Sequence, residues 1–263
     1  MRSAGGHRGR GRHVTGCPAY APGVPEINEF GQPVGDLVTP AWSPRPRPDA
    51  VTLEGRYVVV EPLAVEHAAA LLGAVCGPDD RSLWTYRATE PPADLDEMAG
   101  LIARTLATPD LLTFALVPEG RAVEGIASFT RLDPATGQVE VAGVLFARTL
   151  QRTRAATEAI HLLMRYAFDE LGYRRFEWKC DSLNEPSRRA AARLGFTYEG
   201  RFRHHMVTKG RSRDTDWFSV TDAEWPAVRA AHEAWLEPAN FDAEGRQRTP
   251  LSPPGAAGDA TRG

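Results

Sequence analysis

Cysteine is scarce in this 263-residue chain: Cys17, Cys76 and Cys180 stand far apart. An odd, sparse count argues against a disulfide framework and fits a reducing cytoplasm, and none of the spacings is that of a metal-ligand cluster. A large excess of charge is missing too. With 31 basic and 34 acidic residues the formal net charge is -3, which gives no bulk attraction to nucleic acid or to an anionic membrane. No apolar run approaches the ~20 residues that span a bilayer. The basic start (Arg2, Arg8, Arg10, Arg12) lacks the apolar stretch of a secretory signal. Neither G-x-x-x-x-G-K-[ST] nor G-x-G-x-x-G occurs. What remains is a composition ordinary for a globular protein, 25% charged and 42% hydrophobic. The expectation is a cytoplasmic protein with no metal, membrane or nucleic-acid partner.

The two ends differ from the middle. Residues 1–23 are rich in Gly, Pro and Arg and read as a disordered basic tail. Residues 24–50 carry Ile27, Phe30, Leu37, Val38 and Trp42, too apolar for a linker, and are expected to lie as an extended arm on the domain with Trp42 buried. Residues 241–263 are of low complexity and read as a second disordered tail. Between them, over 51–240, period-2 and period-3.6 segments alternate. Strands are expected at 56–63, 111–118, 122–132, 138–147, 174–180, about 197–207 and 215–220. Helices are expected at 65–75, 95–106, from the 150s to Leu171, and at 184–196, with a closing helix after Thr221. That order predicts one α+β (α/β-like) domain with a mixed sheet flanked by helices.

One junction stands out. The strand ending "LFA" passes through Gln151-Arg152-Thr153-Arg154-Ala155-Ala156 into a helix. A helix N-terminus offers unpaired N–H groups and the positive end of a dipole, and small residues let an anion approach. The next strand ends at Asp181-Ser182-Leu183-Asn184 before another helix. If the two strands are parallel neighbours, their C-terminal ends open on one side, where open sheets bind ligands. Asn184 and Ser187 then line the crevice. Glu140 is placed on one strand face with Ala142, Val144 and Phe146. A carboxylate on such an apolar face is either a proton acceptor with a raised pKa or one half of a structural ion pair. His204 and His205 read as surface residues, and Glu158 as a structural carboxylate.

These motifs resemble the GNAT N-acetyltransferase superfamily, and within it the branch of the ribosomal-protein N-terminal alanine/serine acetyltransferases. The family's [QR]-x-x-G-x-[GA] turn is matched at Gln151 and Ala156, with Arg154 in place of glycine. "ATEA", "NEPS…RLGF" and the "KGRSRD…WFSV" hairpin follow in family order over about residues 53–225. The resemblance implies a GNAT fold and transfer of an acetyl group from acetyl-CoA to a primary amine of a small molecule or a peptide N-terminus, without a metal. It implies that the backbone of Arg152, Thr153, Arg154, Ala155 and Ala156, with Gln151 and the Thr157 hydroxyl, holds the pyrophosphate. Arg154 is expected either to point its side chain away from the cofactor or to bring its guanidinium to the 3′-phosphate or pyrophosphate, the second being favoured. The resemblance further implies that the pantetheine arm pairs near Leu145 and Phe146 and meets Asn184. It implies Glu140 as base and, since the family's tyrosine is missing, Ser187 as the acid for the leaving thiolate. A homodimer is a further expectation. The second function class is a non-catalytic acyl-CoA-binding or protein-interaction module of the same fold.

Overall fold

The computed structural model describes residues 25–254. The chain divides into two compact units, Met1–Leu37 and Val38–Gly263. The described part of the first is a small hairpin, β1 (Glu26–Ile27) with β2 (Pro33–Val34). Asn28 closes it, its side-chain oxygen accepting from the amides of Phe30 and Gln32. The expected tail over residues 1–23, with Cys17, lies outside the described residues, as do residues 255–263.

The second unit is built on one eight-stranded sheet. Its strands are β3 (Leu53–Glu54), β4 (Val58–Pro62), β5 (Leu112–Pro118), β6 (Gly125–Asp133), β7 (Gln138–Phe146), β8 (Arg175–Asp181), β9 (Thr197–Thr208) and β10 (Arg211–Thr221). They lie in the order β3-β4-β5-β6-β7-β8-β10-β9. Every pairing is antiparallel except that of β7 with β8. Five helices cover the sheet: α1 (Ala68–Val75), α2 (Leu95–Leu106), α3 (Arg154–Arg165), α4 (Glu185–Arg193) and α5 (Trp225–Leu236). The mixed sheet with flanking helices is the architecture expected from the sequence.

Local chemistry fixes the helix starts. Asp94 caps α2 by accepting from the Glu97 amide, and Glu97 reaches back to the Ala93 amide, satisfying two orphan donors at once. Thr153 caps α3 and Asn184 caps α4 in the same way. α3 is the central helix: every residue from Ala155 to Met164 is buried. It packs on β3, β4 and α5, while α1 and α2 pack on each other and against β6 and β5.

Trp42 belongs to the second unit. Its indole N–H donates to the Ala135 carbonyl at 2.7 Å, and its ring lies between the guanidinium groups of Arg45 and Arg174. Gly137 makes room for it; a Cβ there would fall 2.4 Å from the ring. One expectation is corrected. Residues 241–254 are not a disordered tail, because Phe241 packs edge-on against Trp235, Leu251 is buried, and Pro253 lies against Gly195. Low-complexity composition concealed two apolar anchors that find a partner on α5. Phe241→Ala is therefore expected to cost about 3 kcal/mol. At this domain size that is a fall of about 6–12 °C in Tm by calorimetry; an unchanged Tm would show that the segment adds nothing.

His161 of α3 and His232 of α5 are both buried, with ring centroids 5.5 Å apart. Burial holds His161 down to about 4 and His232 down to about 3. The unfolded chain binds these protons near pH ~6.5 and the folded chain does not. The stability they lend is therefore complete above that pH and is lost as pH falls toward 4. Urea midpoints should decline between pH roughly 6.5 and 5, before most carboxylates titrate. A flat profile in that window would contradict the buried neutral pair.

Candidate functional site

β7 and β8 pair in parallel from Gln138–Arg175 to Val141–Trp178, and beyond those residues no pairing joins them. The cause lies in β7. Between the pairs Ser128–Ala142 and Ile126–Leu145, β7 uses three residue steps where β6 uses two, and Gly143 within the bulge has φ +60°. A bulge bends its strand and increases its twist. β8 is held along its length by β10, over seven pairs. The strands therefore part, and the β8-facing edge of residues 142–146 is left without a strand partner.

The bulge also corrects the expected face of Glu140. Ile126 and Ser128 lie two apart on β6 and so share a face; their partners Leu145 and Ala142 share it too. Thr130 pairs with Glu140 on that same face. Leu145, rather than Val144 and Phe146, thus lies on the side of Glu140. Strict alternation across an extra residue gave the wrong phase.

At the end of the opened strand the chain turns into α3. Arg152 adopts φ +62°, and Gln151 pins the turn by donating from Nε2 to the Phe146 carbonyl at 3.1 Å. The Thr153 hydroxyl accepts from the Ala156 amide. No hydrogen bond among the described residues uses the amides of Arg152, Arg154 or Ala155. Two side-chain expectations are corrected. The Arg154 guanidinium lies over the rings of Tyr57 and Phe241, at 4.6 and 4.8 Å, so it is engaged in a cation–π sandwich with Tyr57 and the C-terminal segment rather than free for a phosphate. The Thr157 hydroxyl donates to the Thr153 carbonyl and accepts from Arg193, so it is already paired on both sides. Glu158 accepts from the amides of Arg56 and Tyr57 and is structural, as expected.

Glu140 is 1% exposed. Its Oε2 lies 3.0 Å from Lys179 Nζ and 3.7 Å from Arg131 Nε, but neither carboxylate oxygen accepts a well-aligned hydrogen bond. Across the parallel pair stands a second buried carboxylate, Glu177, held by Arg175 at 2.7 Å. Burial raises the Glu140 pKa above the usual carboxylate range; Lys179 opposes the rise and Glu177 adds to it. Arg131 and Lys179 both lie over the Trp217 ring, at 5.2 and 5.3 Å. The Trp217 N–H is buried without a partner. His205 stands beside this ring and touches the Thr215 hydroxyl. Glu177, Lys179 and Trp217 were missed as neighbours of Glu140. The alternating charges of "RRFEWKC" carried the signal, but only the register joins them to Glu140.

Ser187 approaches from the other side of β8. Its hydroxyl oxygen accepts from Trp178 Nε1 at 3.0 Å, and Trp178 points opposite to Glu177 and Lys179. Asn184 spends its side-chain oxygen on the α4 cap. Glu140 and Ser187 therefore flank the sheet from opposite faces. Two arginines of α4 are paired rather than free: Arg188 with the fully buried Asp216, and Arg193 with Thr157. The linker between α1 and α2 closes the site on the side of Glu140. Arg87 Nη1 donates to the Gly143 carbonyl at 2.7 Å, Tyr86 donates to the Leu183 carbonyl, and Lys209 reaches the Trp84 carbonyl from the β9–β10 turn. Among the described residues no group of side chains has a metal-binding arrangement, and no helix is long and apolar enough to cross a membrane.

Known proteins share this fold. A GCN5-related N-acetyltransferase structure from Brucella melitensis is 45% identical, with TM-score 0.78, over 80% of this chain and 96% of that one. A GNAT-family structure from Chromobacterium violaceum is 37% identical, with TM-score 0.69, over 74% and 98% of the two chains. The Bacillus subtilis protein named "Putative ribosomal N-acetyltransferase YdaF" is 31% identical over 38% of this chain and 55% of its own length. The curated relatives are thus matched over 40% to 61% of their own length, the highest share being for "Uncharacterized N-acetyltransferase p20" of Bacillus licheniformis. With residues 58–197 matching the family model for an acetyltransferase (GNAT) domain, the chain belongs to the GNAT acetyltransferase family.

Proposed function

We propose that this protein is an acetyl-CoA-dependent N-acetyltransferase acting on a primary amine of a small molecule or a peptide N-terminus. The observation that carries the reading is the parting of β7 and β8 beside a helix N-terminus with three unused amides. Those amides, beside the small Ala155 and Ala156, fit a diphosphate: the first turn of α3 carries no acidic side chain, and the helix dipole favours negative charge. Arg152, Arg154 and Ala155 hold it through their free amides, Thr153 and Ala156 shape the turn by capping, and Gln151 fixes it. The free edge of β7 near Leu145 and Phe146 offers the backbone groups for an amide-bearing arm, with Asn184 across the gap.

Bound acetyl-CoA supplies a thioester whose acetyl group passes to the amine nitrogen as the carbon–sulfur bond breaks. Glu140 takes the proton that the amine loses. It suits this task because burial raises its pKa toward that of a useful base while Lys179 keeps it ionised. Ser187 is the group on the α4 side for the departing sulfur. Its oxygen accepts from Trp178, which orients the hydroxyl and leaves its hydrogen able to donate.

Two measurements check the reading. Thr153→Asp keeps an N-cap oxygen but adds negative charge to the turn. CoA affinity by calorimetry should fall about tenfold, or ~1.4 kcal/mol, with the Tm preserved; unchanged affinity would remove the diphosphate from this turn. Glu140→Gln should lower turnover by a factor of ~10²–10⁴ while CoA affinity stays, with the deficit narrowing at high pH where the amine is already neutral. Wild-type turnover in that variant would reduce Glu140 to a structural partner of Lys179.

A further inference from the structure

A partly open cavity of about 110 Å³ lies between the α1–α2 pair and the bulged part of β7. Its walls are apolar, from Leu63, Leu71, Met98 and Ile102, and Gly143 and Leu145 form its floor toward the opened strands. One cation lines it. Arg87 spends Nη1 on the Gly143 carbonyl and lies 5.2 Å from the Trp84 ring, but its Nε is buried without a hydrogen bond.

Several cations near the site are matched by carboxylates: Lys179 faces Glu140, Arg175 faces Glu177 and Glu199, and Arg188 and Arg201 share Asp216. Arg87, like Arg154 and Arg193, has no carboxylate within ion-pair distance among the described residues, but of these three it is the one that lines the cavity. Desolvation lowers its pKa to about 10. Arg87 is half-buried, but its Nε is out of water with no counter-ion beside it, a cost that is offset when a ligand brings the charge. Its planar fork matches the two oxygens of a carboxylate. Trp84, locked by its own N–H bond to the Val75 carbonyl at 2.8 Å, keeps one face of the guanidinium covered.

We propose that this cavity is a carboxylate-binding subsite, in which Arg87 receives the terminal carboxylate of one of the two reactants. The inference rests on the acyl-transfer reading for its purpose but not for its binding chemistry. The cavity has room for a short carboxylate-tipped chain and not for a peptide or a nucleotide. Because it borders the opened strands through Gly143 and Leu145, the carboxylate sits either on the amine acceptor or on the acyl group.

Butyrate and butyramide, which differ only in charge and one atom, are titrated into the full chain and followed by ligand-observed NMR. Butyrate should bind about tenfold more tightly than butyramide. Arg87→Gln, which keeps a donor for the Gly143 carbonyl, should bind the two alike, and Arg87→Lys should retain part of the preference. Equal binding by the wild type, or a preference that survives Arg87→Gln, overturns the proposal; the wild-type comparison decides it even if the variants do not fold. Turnover then assigns the source. Faster transfer from acetyl-CoA to 4-aminobutyrate than to its amide places the carboxylate on the acceptor, whereas preference for succinyl-CoA over butyryl-CoA places it on the acyl group. Neither preference overturns a role in the reaction. A protein that binds butyrate through Arg87 but acylates no amine refutes the transferase reading and leaves the subsite standing.

Discussion

The pairing of β7 with β8 ends after Val141 and Trp178, and the rest of the site depends on that ending. A continuous parallel pair would consume the backbone groups on both strands and leave no gap for a ligand arm. The gap opens because one strand is bulged and the other is not. Gly143 takes the left-handed conformation that the bulge requires, at a position where a side chain would add strain, and Arg87 secures its carbonyl. The same bend carries β7 into the turn before α3. One irregularity therefore positions the gap, the turn beyond it and the face on which Glu140 stands.

Charge is arranged differently on the two faces of β8. Toward α1 and α2 lie two buried carboxylates, Glu140 and Glu177, with Lys179, Arg131 and Arg175 around them. Buried ion pairs contribute little net stability, because desolvation offsets the attraction. Such a cluster makes better sense as a device that keeps one carboxylate ionised, basic and free of aligned donors in a buried place. Toward α4, Ser187 meets Trp178 and Cys180, whose thiol is pushed up to about 11 by burial, and the buried Asp216 there is paired with Arg188 and Arg201.

Supporting contacts reach far along the chain. Glu158, one turn into α3, accepts from the amides of Arg56 and Tyr57, so the helix that carries the anion turn is tied to the start of β4. Gly55 is required there, since a Cβ would meet the Glu158 carboxylate at 2.5 Å. Arg154, packed between Tyr57 and Phe241, ties the same helix start to the C-terminal segment. The arginine that replaces the family's glycine thus acts as a strut. Its backbone amide faces the turn while its side chain leaves it.

The sequence by itself determined the element order, because apolar periodicity and capping chemistry are local properties. The bounds of α2 could be read from Asp94 and its apolar spacing, and the turn before α3 from small residues after a strand. The family motifs are local as well, and they were legible for the same reason. Tertiary structure decided what depends on register and on distant packing. Whether Glu140 meets Lys179 and Glu177 is set by how β7 pairs with β8, and a single extra residue at the bulge reversed the faces beyond it. Where Arg154 and Arg87 point is set by segments some 87 and 56 residues away, Phe241 and Gly143, which no local pattern encodes. A side chain's type is written in the sequence, but the partner that neutralises it, or fails to, exists only once the chain has folded.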